Sequence, residues 1–125
     1  LEVPAAASLA PVGAWEDAFT TRGAGADATL EWSNPQEGAR VRLYMTDCTG
    51  SHGGFAAAEI ECEGPDTGTL VVPGAFVDAL DAGAWDRGEC GSHRFERYHA
   101  AAPPNDDTVR FESASRDGFF YRPDF

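Results

Sequence analysis

The sequence predicts an all-β fold, an antiparallel sandwich with one short helix. Apolar and polar side chains alternate in several short runs, which is the pattern of strands that bury one face. Segments rich in Gly, Pro, Asn and Asp separate these runs at intervals of about 8–15 residues, as in sandwiches and barrels. Helical periodicity is weak along most of the chain. With 125 residues, the chain has the length of one domain.

The predicted strands follow from these runs in chain order. The Ala- and Gly-rich stretch 1–25 predicts an N-terminal arm or edge strand, and the β-sandwich domain is expected over residues 26–125. The alternating runs, with the side chains expected to face the core, are Ala28–Ser33 (Leu30, Trp32), Ala39–Thr46 (Val41, Leu43, Met45) and Ala56–Glu63 (Ala56, Ala58, Ile60, Cys62). Further strands are expected at Thr69–Val72, after Cys90, over Val109–Ser113 and at Phe119–Arg122.

Turn residues and one helix complete the pattern. Gly64–Gly68 links the third run to the fourth, and Asp117-Gly118 is expected to form a turn between the last two strands. The single helix is expected to begin with Pro73 at its first position and to end before Gly83. The solvent face of the third run is expected to carry Glu59, Glu61 and Glu63.

Charge and hydropathy exclude several classes of function. Nine basic residues, all of them Arg, stand against twenty-one acidic ones, so the formal net charge is −12. Nucleic-acid binding and attachment to an anionic membrane surface both need clustered basic residues, and neither is expected. No apolar run approaches the roughly 18–20 residues of a transmembrane helix.

The middle of the chain resembles a known class of exported domain. The residues that carry the resemblance are Leu30-Glu31-Trp32, Ala39–Met45, Ile60-Glu61-Cys62 and Pro65–Pro73, followed by Phe76 and Leu80. Together they resemble immunoglobulin-like or fibronectin type III-like modules of secreted, myxobacterial-type lipoproteins. The resemblance implies an extracellular or periplasmic protein, either exported or lipid-anchored at the outer membrane, with a non-enzymatic binding or structural role at the cell surface or in an assembly. Such sandwiches host many unrelated functions.

Two Gly-rich loops each combine a cysteine with a histidine. In an exported protein we expect a disulfide between Cys48 and Cys90, because both lie beyond strand ends. Cys62 would then be a free, buried thiol, although a bridge from Cys62 to Cys90 gives nearly the same entropic gain and only side-chain parity argues against it. The alternative is a tetrahedral zinc site formed by Cys48, His52, Cys90 and His93.

Trp85 is the strongest candidate for ligand binding. It lies in a polar, Gly-rich loop and is flanked by Asp81 and Asp86. An exposed aromatic side chain in this setting stacks on a sugar or anchors a protein, so the expected partner is a protein or a carbohydrate at the cell surface. In the other interpretation Trp85 folds back over the short helix. Of the other tryptophans, Trp32 is expected in the core, and Trp15 is expected to pack the arm onto the domain.

Recognisable catalytic motifs are missing from the sequence. It contains no nucleophile elbow, phosphate-binding loop or dinucleotide fingerprint, so no cofactor and no catalytic residue is expected. The alternative function is a small metal-dependent or hydrolytic enzyme that uses loop Cys/His or Asp/His residues.

The C-terminal segment Phe119–Phe125 is rich in aromatic residues. A chain terminus frays unless it is tied down, so we expect this tail to be ordered. It would pack either over the sheet or against a neighbouring subunit, where it would provide a self-assembly contact.

Overall fold

Six strands and two short helices make up the described part of the chain. The computed structural model describes residues 1–47, 58–83 and 92–123. In chain order the elements are α1 (Asp17–Thr20), β1 (Ala28–Glu31), β2 (Arg40–Thr46), β3 (Glu59–Pro65), β4 (Thr69–Val72), α2 (Gly74–Asp81), β5 (Ser92–Ala101) and β6 (Phe111–Phe120).

The strands form two antiparallel sheets. β1 pairs with β4, and the larger sheet has the strand order β3-β2-β5-β6. At the centre of the larger sheet, Leu43 of β2 lies opposite Cys62 of β3 on one side and Phe95 of β5 on the other. The predicted architecture is therefore confirmed in its coarse form, a mostly β, sandwich-like fold with antiparallel pairing.

Both sheets contribute to one hydrophobic core. β1 buries Ala28 and Leu30 while Thr29 and Glu31 are exposed, and β2 alternates in the same way. The side-chain parity predicted for these two strands is therefore confirmed. Other core residues are Leu9, Trp15, Phe19, Trp32, Ile60, Val72, Val77, Leu80, Phe95, Phe119 and Tyr121.

The N-terminal arm, residues 1–25, is tied to the domain by side chains. The backbone N–H of Ala10 donates to Asn34 Oδ1 at 2.8 Å. Trp15 packs edge-on against Phe95, and its indole N–H donates to Asp117 Oδ2 at 2.6 Å. Trp15 thus packs the arm onto the domain, as the sequence predicts, and the stretch before it forms no regular strand.

A buried ion pair connects β5 to the turn between β3 and β4. Arg97 Nε lies 2.6 Å from Asp66 Oδ2, and both side chains are 0 % exposed. The same guanidinium donates to the carbonyl oxygens of Ala7 and Asn34, and the carboxylate accepts the indole N–H of Trp32 at 2.6 Å. These bonds offset the cost of removing two charges from water. The pair therefore holds the arm, the segment after β1 and β5 together.

Helix α2 begins directly after Pro73, as predicted, although Pro73 is its N-cap and not its first helical residue. The N–H of Gly74 donates to Asp27 Oδ1 at 2.8 Å. A Cβ atom on Gly74 would lie 2.2 Å from the carbonyl oxygen of Gly25, so only glycine fits where the helix starts. On the surface of this helix Phe76 is exposed.

Three details of the predicted secondary structure are wrong. β6 runs without a break over Phe111–Phe120, so Asp117-Gly118 forms no turn and Phe119–Arg122 is not a separate strand. Helix α1 is a second helix where one at most was expected, and it places Phe19 in the core. β3 continues to Pro65, into the expected turn. The part of the third predicted run that precedes residue 58 lies outside the described residues.

The C-terminal tail is ordered against its own chain as far as residue 123. Phe119 stacks on Phe19 with ring centroids 5.9 Å apart, and Tyr121 is buried next to the same ring. Phe120 points the other way and is exposed. A self-assembly contact through the tail stays a prediction, and among the described residues Phe120 is the aromatic side chain that the tail leaves exposed for it.

Candidate functional site

The residues predicted to bind a ligand are only partly described. Trp85 and Asp86 lie outside the described residues. Asp81 lies at the end of α2, where its Oδ1 accepts a hydrogen bond from the Tyr121 hydroxyl at 2.7 Å. Its Oδ2 lies 3.2 Å from a guanidinium nitrogen of Arg22. Asp81 therefore ties α2 to the tail and to the segment before β1, and its role in ligand binding stays a prediction.

His93 is the one predicted zinc ligand within the described residues, and it is buried. Its Nε2 donates to the Tyr121 carbonyl oxygen at 2.7 Å, and the Thr46 N–H approaches its Nδ1 at 3.4 Å. Burial lowers the pKa of His93, so the ring is neutral. Within residues 1–47, 58–83 and 92–123, no three potential ligand side chains cluster. The other three predicted ligands, outside these ranges, are Cys48, His52 and Cys90. The zinc site and the Cys48–Cys90 disulfide both stay predictions.

Cys62 is a free thiol, as predicted. It lies on the core side of β3, opposite Leu43, but its side chain is only partly buried where full burial was expected. Burial raises the pKa of the thiol. The protonated thiol is a poor nucleophile, so its setting does not activate Cys62 for catalysis.

The larger sheet has a charged outer face, which we define as the face that points away from the core. At its centre Glu96 is 2 % exposed and accepts hydrogen bonds from Arg42 and, at 2.7 Å, from Arg116. Arg42 also reaches Glu112 at 2.9 Å and lies 4.1 Å from the centroid of the Tyr98 ring. The charges at the centre of this face are thus paired with one another.

The pKa shifts of these carboxyl groups fit a structural role. Burial opposes the ionisation of Glu96, but the hydrogen bonds from Arg42 and Arg116 outweigh it and lower its pKa. The hydrogen bond from Arg42 also lowers the pKa of Glu112. Both groups are therefore ionised at neutral pH, whereas a general acid needs a pKa near the working pH.

A shallow cavity of about 280 Å³ opens on the outer face beside this network. Its charged and aromatic lining comes from Arg42, Tyr44, Glu61, Glu63, Arg94 and Glu96. The guanidinium of Arg94 lies 5.1 Å from the centroid of the Tyr44 ring. Because charges of both signs line the cavity, it offers neither a cation nor an anion a uniform field.

Strand β3 forms one edge of the larger sheet. Among the described residues its strand partner is β2. The Asp47 N–H bonds to the Ala58 carbonyl and the Asp66 N–H to the Ala39 carbonyl, each at 3.0 Å, at the two ends of the ladder. In an antiparallel ladder every second residue directs its N–H and C=O toward the partner strand. Counting from both ends, these are Ile60, Cys62 and Gly64. The backbone N–H and C=O groups that point away from β2 therefore belong to Glu59, Glu61 and Glu63.

A groove of about 380 Å³ lies between this edge and α2, and we call it the β3–α2 groove. Its apolar lining comes from Ala58, Ile60, Phe76, Ala79 and Leu80, and its acidic rim from Glu59 and Glu61. Ile60 and Leu80 are buried, whereas Phe76 is 53 % exposed. An apolar floor beside a free strand edge is the arrangement with which proteins bind extended peptide segments.

Sequence reasoning found the residues of this groove but not the groove. The glutamates of β3 were expected on a solvated face, and Phe76 was expected only as a helix residue. One sequence signal points to the edge position, namely Pro65. Proline lacks an N–H, so within a strand it marks an edge, but the Gly-Pro-Asp-Thr-Gly sequence around Pro65 also predicts a turn.

No family model, curated protein or solved structure matches this chain. The resemblance to immunoglobulin-like and fibronectin type III-like modules therefore stays a prediction. Within the described residues no helix is both long and apolar enough to span a membrane.

Proposed function

We propose that this chain is a non-enzymatic binding module that holds a protein partner in the β3–α2 groove. The observation that carries the proposal is the exposed ring of Phe76 beside the edge of β3. Exposed aromatic side chains anchor protein partners, and an unpaired strand edge offers backbone groups to another chain. A protein fits this site better than a carbohydrate, because only a polypeptide can continue the ladder of a sheet.

The state of the ionisable groups supports binding over catalysis. Glu96 and Glu112 are held ionised by arginine, His93 is held neutral by burial, and the thiol of Cys62 is held protonated. Ionised carboxylates have no proton to donate, the lowered pKa values make the carboxylates and the imidazole weaker bases, and a protonated thiol is a poor nucleophile.

The proposal also includes an exported location and a fold identity. We propose an immunoglobulin-like or fibronectin type III-like module of an exported or lipid-anchored surface protein. The support comes from the two antiparallel sheets, from Trp32 in their shared core and from the resemblance over the middle of the chain. The predicted bond between Cys48 and Cys90 fits an oxidising compartment.

Selection of random linear peptides against the folded chain tests the binding function. We expect enriched peptides that bind the wild-type protein, lose binding to the Phe76→Glu variant and keep it for Phe111→Glu. Phe111 is a matched control, because it is 49 % exposed and belongs to β6 at the opposite edge of the sheet. If no enriched peptide depends on Phe76, the groove is not a binding site and the proposal is wrong.

Elemental analysis of the purified protein tests the non-enzymatic part. A count of titratable thiols before and after denaturation accompanies it. We expect no stoichiometric zinc and one thiol, Cys62. Bound zinc together with three titratable thiols would contradict the proposal and favour a metal-dependent enzyme built on the loop cysteines and histidines.

A further inference from the structure

Building on the proposed function, we infer how the partner binds and what chemistry it has. The partner contributes an extended segment that pairs with the edge of β3 as an additional strand of the larger sheet. The side chains of this segment alternate between basic residues on the outer face and apolar residues in the β3–α2 groove.

The backbone of β3 can accept an additional strand. The N–H and C=O groups of Glu59, Glu61 and Glu63 point away from β2, and within the described residues nothing bonds to them. Unpaired edge groups of a regular strand are a template for another strand. β3 has seven residues, which is long enough for an ordinary strand pairing.

The charge pattern of β3 favours basic side chains on the added strand. Successive glutamates on the outer face are two residues apart, so their Cα atoms are about 7 Å apart along the strand. A neighbouring strand has the same repeat, so every second side chain lies opposite one carboxylate. Glu59 accepts a hydrogen bond from the Tyr44 hydroxyl and Glu63 accepts one from Arg40 Nε, each at 3.0 Å. Within the described residues the Glu61 carboxylate has no hydrogen-bond or ion-pair partner. Lysine or arginine opposite these positions is favourable, since cross-strand pairs of opposite charge stabilise a sheet.

The β3–α2 groove favours apolar side chains between the basic ones. Residues of the added strand between the basic ones point to the other face, where Phe76, Ala79 and Leu80 of α2 face the edge of β3. The cavity of about 380 Å³ there has an apolar floor, so these residues are expected to be apolar. Alternation between basic and apolar side chains thus follows from the two faces of one strand.

The same charges disfavour a second copy of this chain as the occupant. Antiparallel pairing of β3 with β3 would place glutamates opposite glutamates, and like charges directly opposite destabilise a pair of strands. The formal net charge of −12 on each copy adds to the repulsion. The edge of β3 therefore favours a basic partner over a second copy of this chain.

Binding of defined synthetic peptides tests this chemistry. The probe is a blocked peptide of alternating lysine and valine, and its controls are a glutamate–valine peptide and a block sequence with the same lysine and valine content. We expect the alternating lysine peptide alone to bind and Glu61→Lys to weaken it about tenfold, which corresponds to about 1.4 kcal/mol. Glu37→Lys is the matched control, since it makes the same change of charge at an exposed position. Glu37 precedes the start of β2, whereas the end of β2 pairs with Glu59 beside the groove. Equal losses in the two variants would show unspecific attraction and overturn the inference.

Backbone N-methylation tests strand addition itself. In either strand direction, every second N–H of an added strand points to β3 and the others point away. One peptide is methylated at its lysines and another at its valines. We expect only one of the two methylated peptides to lose binding. If the added strand is antiparallel to β3, this is the lysine-methylated peptide, because the lysine N–H groups then point to β3. Loss in both or in neither overturns strand addition.

The two proposals fail separately. One outcome is that selected peptides depend on Phe76 for binding and still show no alternating basic pattern, while the lysine-methylated and valine-methylated peptides bind equally. In that case the chain is a binding module and this inference is wrong. If no peptide of either experiment binds at the groove, the proposed function is wrong as well.

Discussion

Replacement of Arg97 by methionine should destabilise the protein strongly. In the folded chain the guanidinium lies 2.6 Å from Asp66 Oδ2, and neither side chain is exposed. Methionine fills similar space but leaves the carboxylate of Asp66 buried, and the donors that remain to it among the described residues are Trp32 Nε1 and the Gln36 N–H. Removal of one partner from a buried pair typically costs about 3–5 kcal/mol. Because whole domains are stable by only about 5–15 kcal/mol, the loss is a large fraction of the total.

Urea unfolding followed by tryptophan fluorescence measures this change in the free energy of unfolding. The matched control is Arg40→Met, an arginine of β2 that pairs with Glu63 at 3.0 Å while both side chains are about half exposed, at 49 % and 48 %. Exposed pairs contribute about 0–1 kcal/mol, so the control should lose little. For a chain of this size, a loss of about 4 kcal/mol corresponds to a fall in Tm of about 15 °C.

A double variant separates the buried charge from the shape of the site. Asp66→Asn in the Arg97→Met background removes the uncompensated charge and keeps an oxygen acceptor for Trp32. It should therefore recover part of the lost stability. An Arg97→Met variant that unfolds within about 1 kcal/mol of the wild type, or a double variant less stable than Arg97→Met alone, would contradict the stabilising role of the buried pair.

Three further predictions concern the pH dependence of stability at Glu96 and at His93, and the packing of the C-terminal tail. Because the folded pKa of Glu96 is lowered, its contribution to stability is complete above the unfolded value of about 4.3 and is lost as pH falls through the folded value. In the Glu96→Gln variant the free energy of unfolding should therefore fall less steeply with decreasing pH in this range. An unchanged pH dependence would contradict the prediction. The folded pKa of His93 is also lowered, so the unfolded chain takes up the proton first and stability falls as pH drops below about 6.5. In the His93→Gln variant the Tm should therefore fall less as the pH is lowered. A variant whose Tm keeps the wild-type pH dependence would contradict the prediction. Phe119→Ala should cost about 3–5 kcal/mol, because the ring is buried, while Phe120→Ala on the exposed side should cost little. Chemical denaturation distinguishes the two, and equal losses would contradict the packing of the tail.

The strands that were predicted well are those whose core side is apolar. In β2 the alternation of Val41, Leu43 and Met45 with polar residues predicted both the strand and its buried face. β4 was predicted with its observed bounds, and α2 was predicted from the proline before it and from apolar spacing. Local patterns suffice in these cases because burial and hydropathy agree.

The strands β5 and β6 were harder to predict because their core-facing positions are polar. β5 directs His93, Arg97 and His99 inward, so its hydropathy does not alternate, and only its approximate start was expected. β6 carries Asp117 on its inner side, where it accepts the indole N–H of Trp15, and an Asp-Gly pair in isolation predicts a turn. The partners of these polar groups are distant in sequence, so no local pattern shows them.

The groove depends on the same long-range information. Glu59, Glu61 and Glu63 alternate visibly, and the sequence shows that they share one face. That β3 is an edge strand, and that α2 lies next to that edge, follows only from the strand order and the packing of the helix. A solvated face and a binding edge have the same sequence pattern.

The contacts of the N-terminal arm determine the order in which the chain can fold during synthesis. The Ala6 N–H bonds to the hydroxyl of Ser113, which is 107 residues further along the chain, and Arg97 reaches the carbonyl of Ala7 across 90 residues. At translation rates of about 5–20 residues per second, the arm is made about 5–20 s before β6. Until then the Ser113 partner of the arm does not exist, and the larger sheet lacks its last strand. We therefore expect the domain to fold only after β6 has been synthesised, at the slow rate typical of β-proteins with distant contacts, and not segment by segment as the chain emerges.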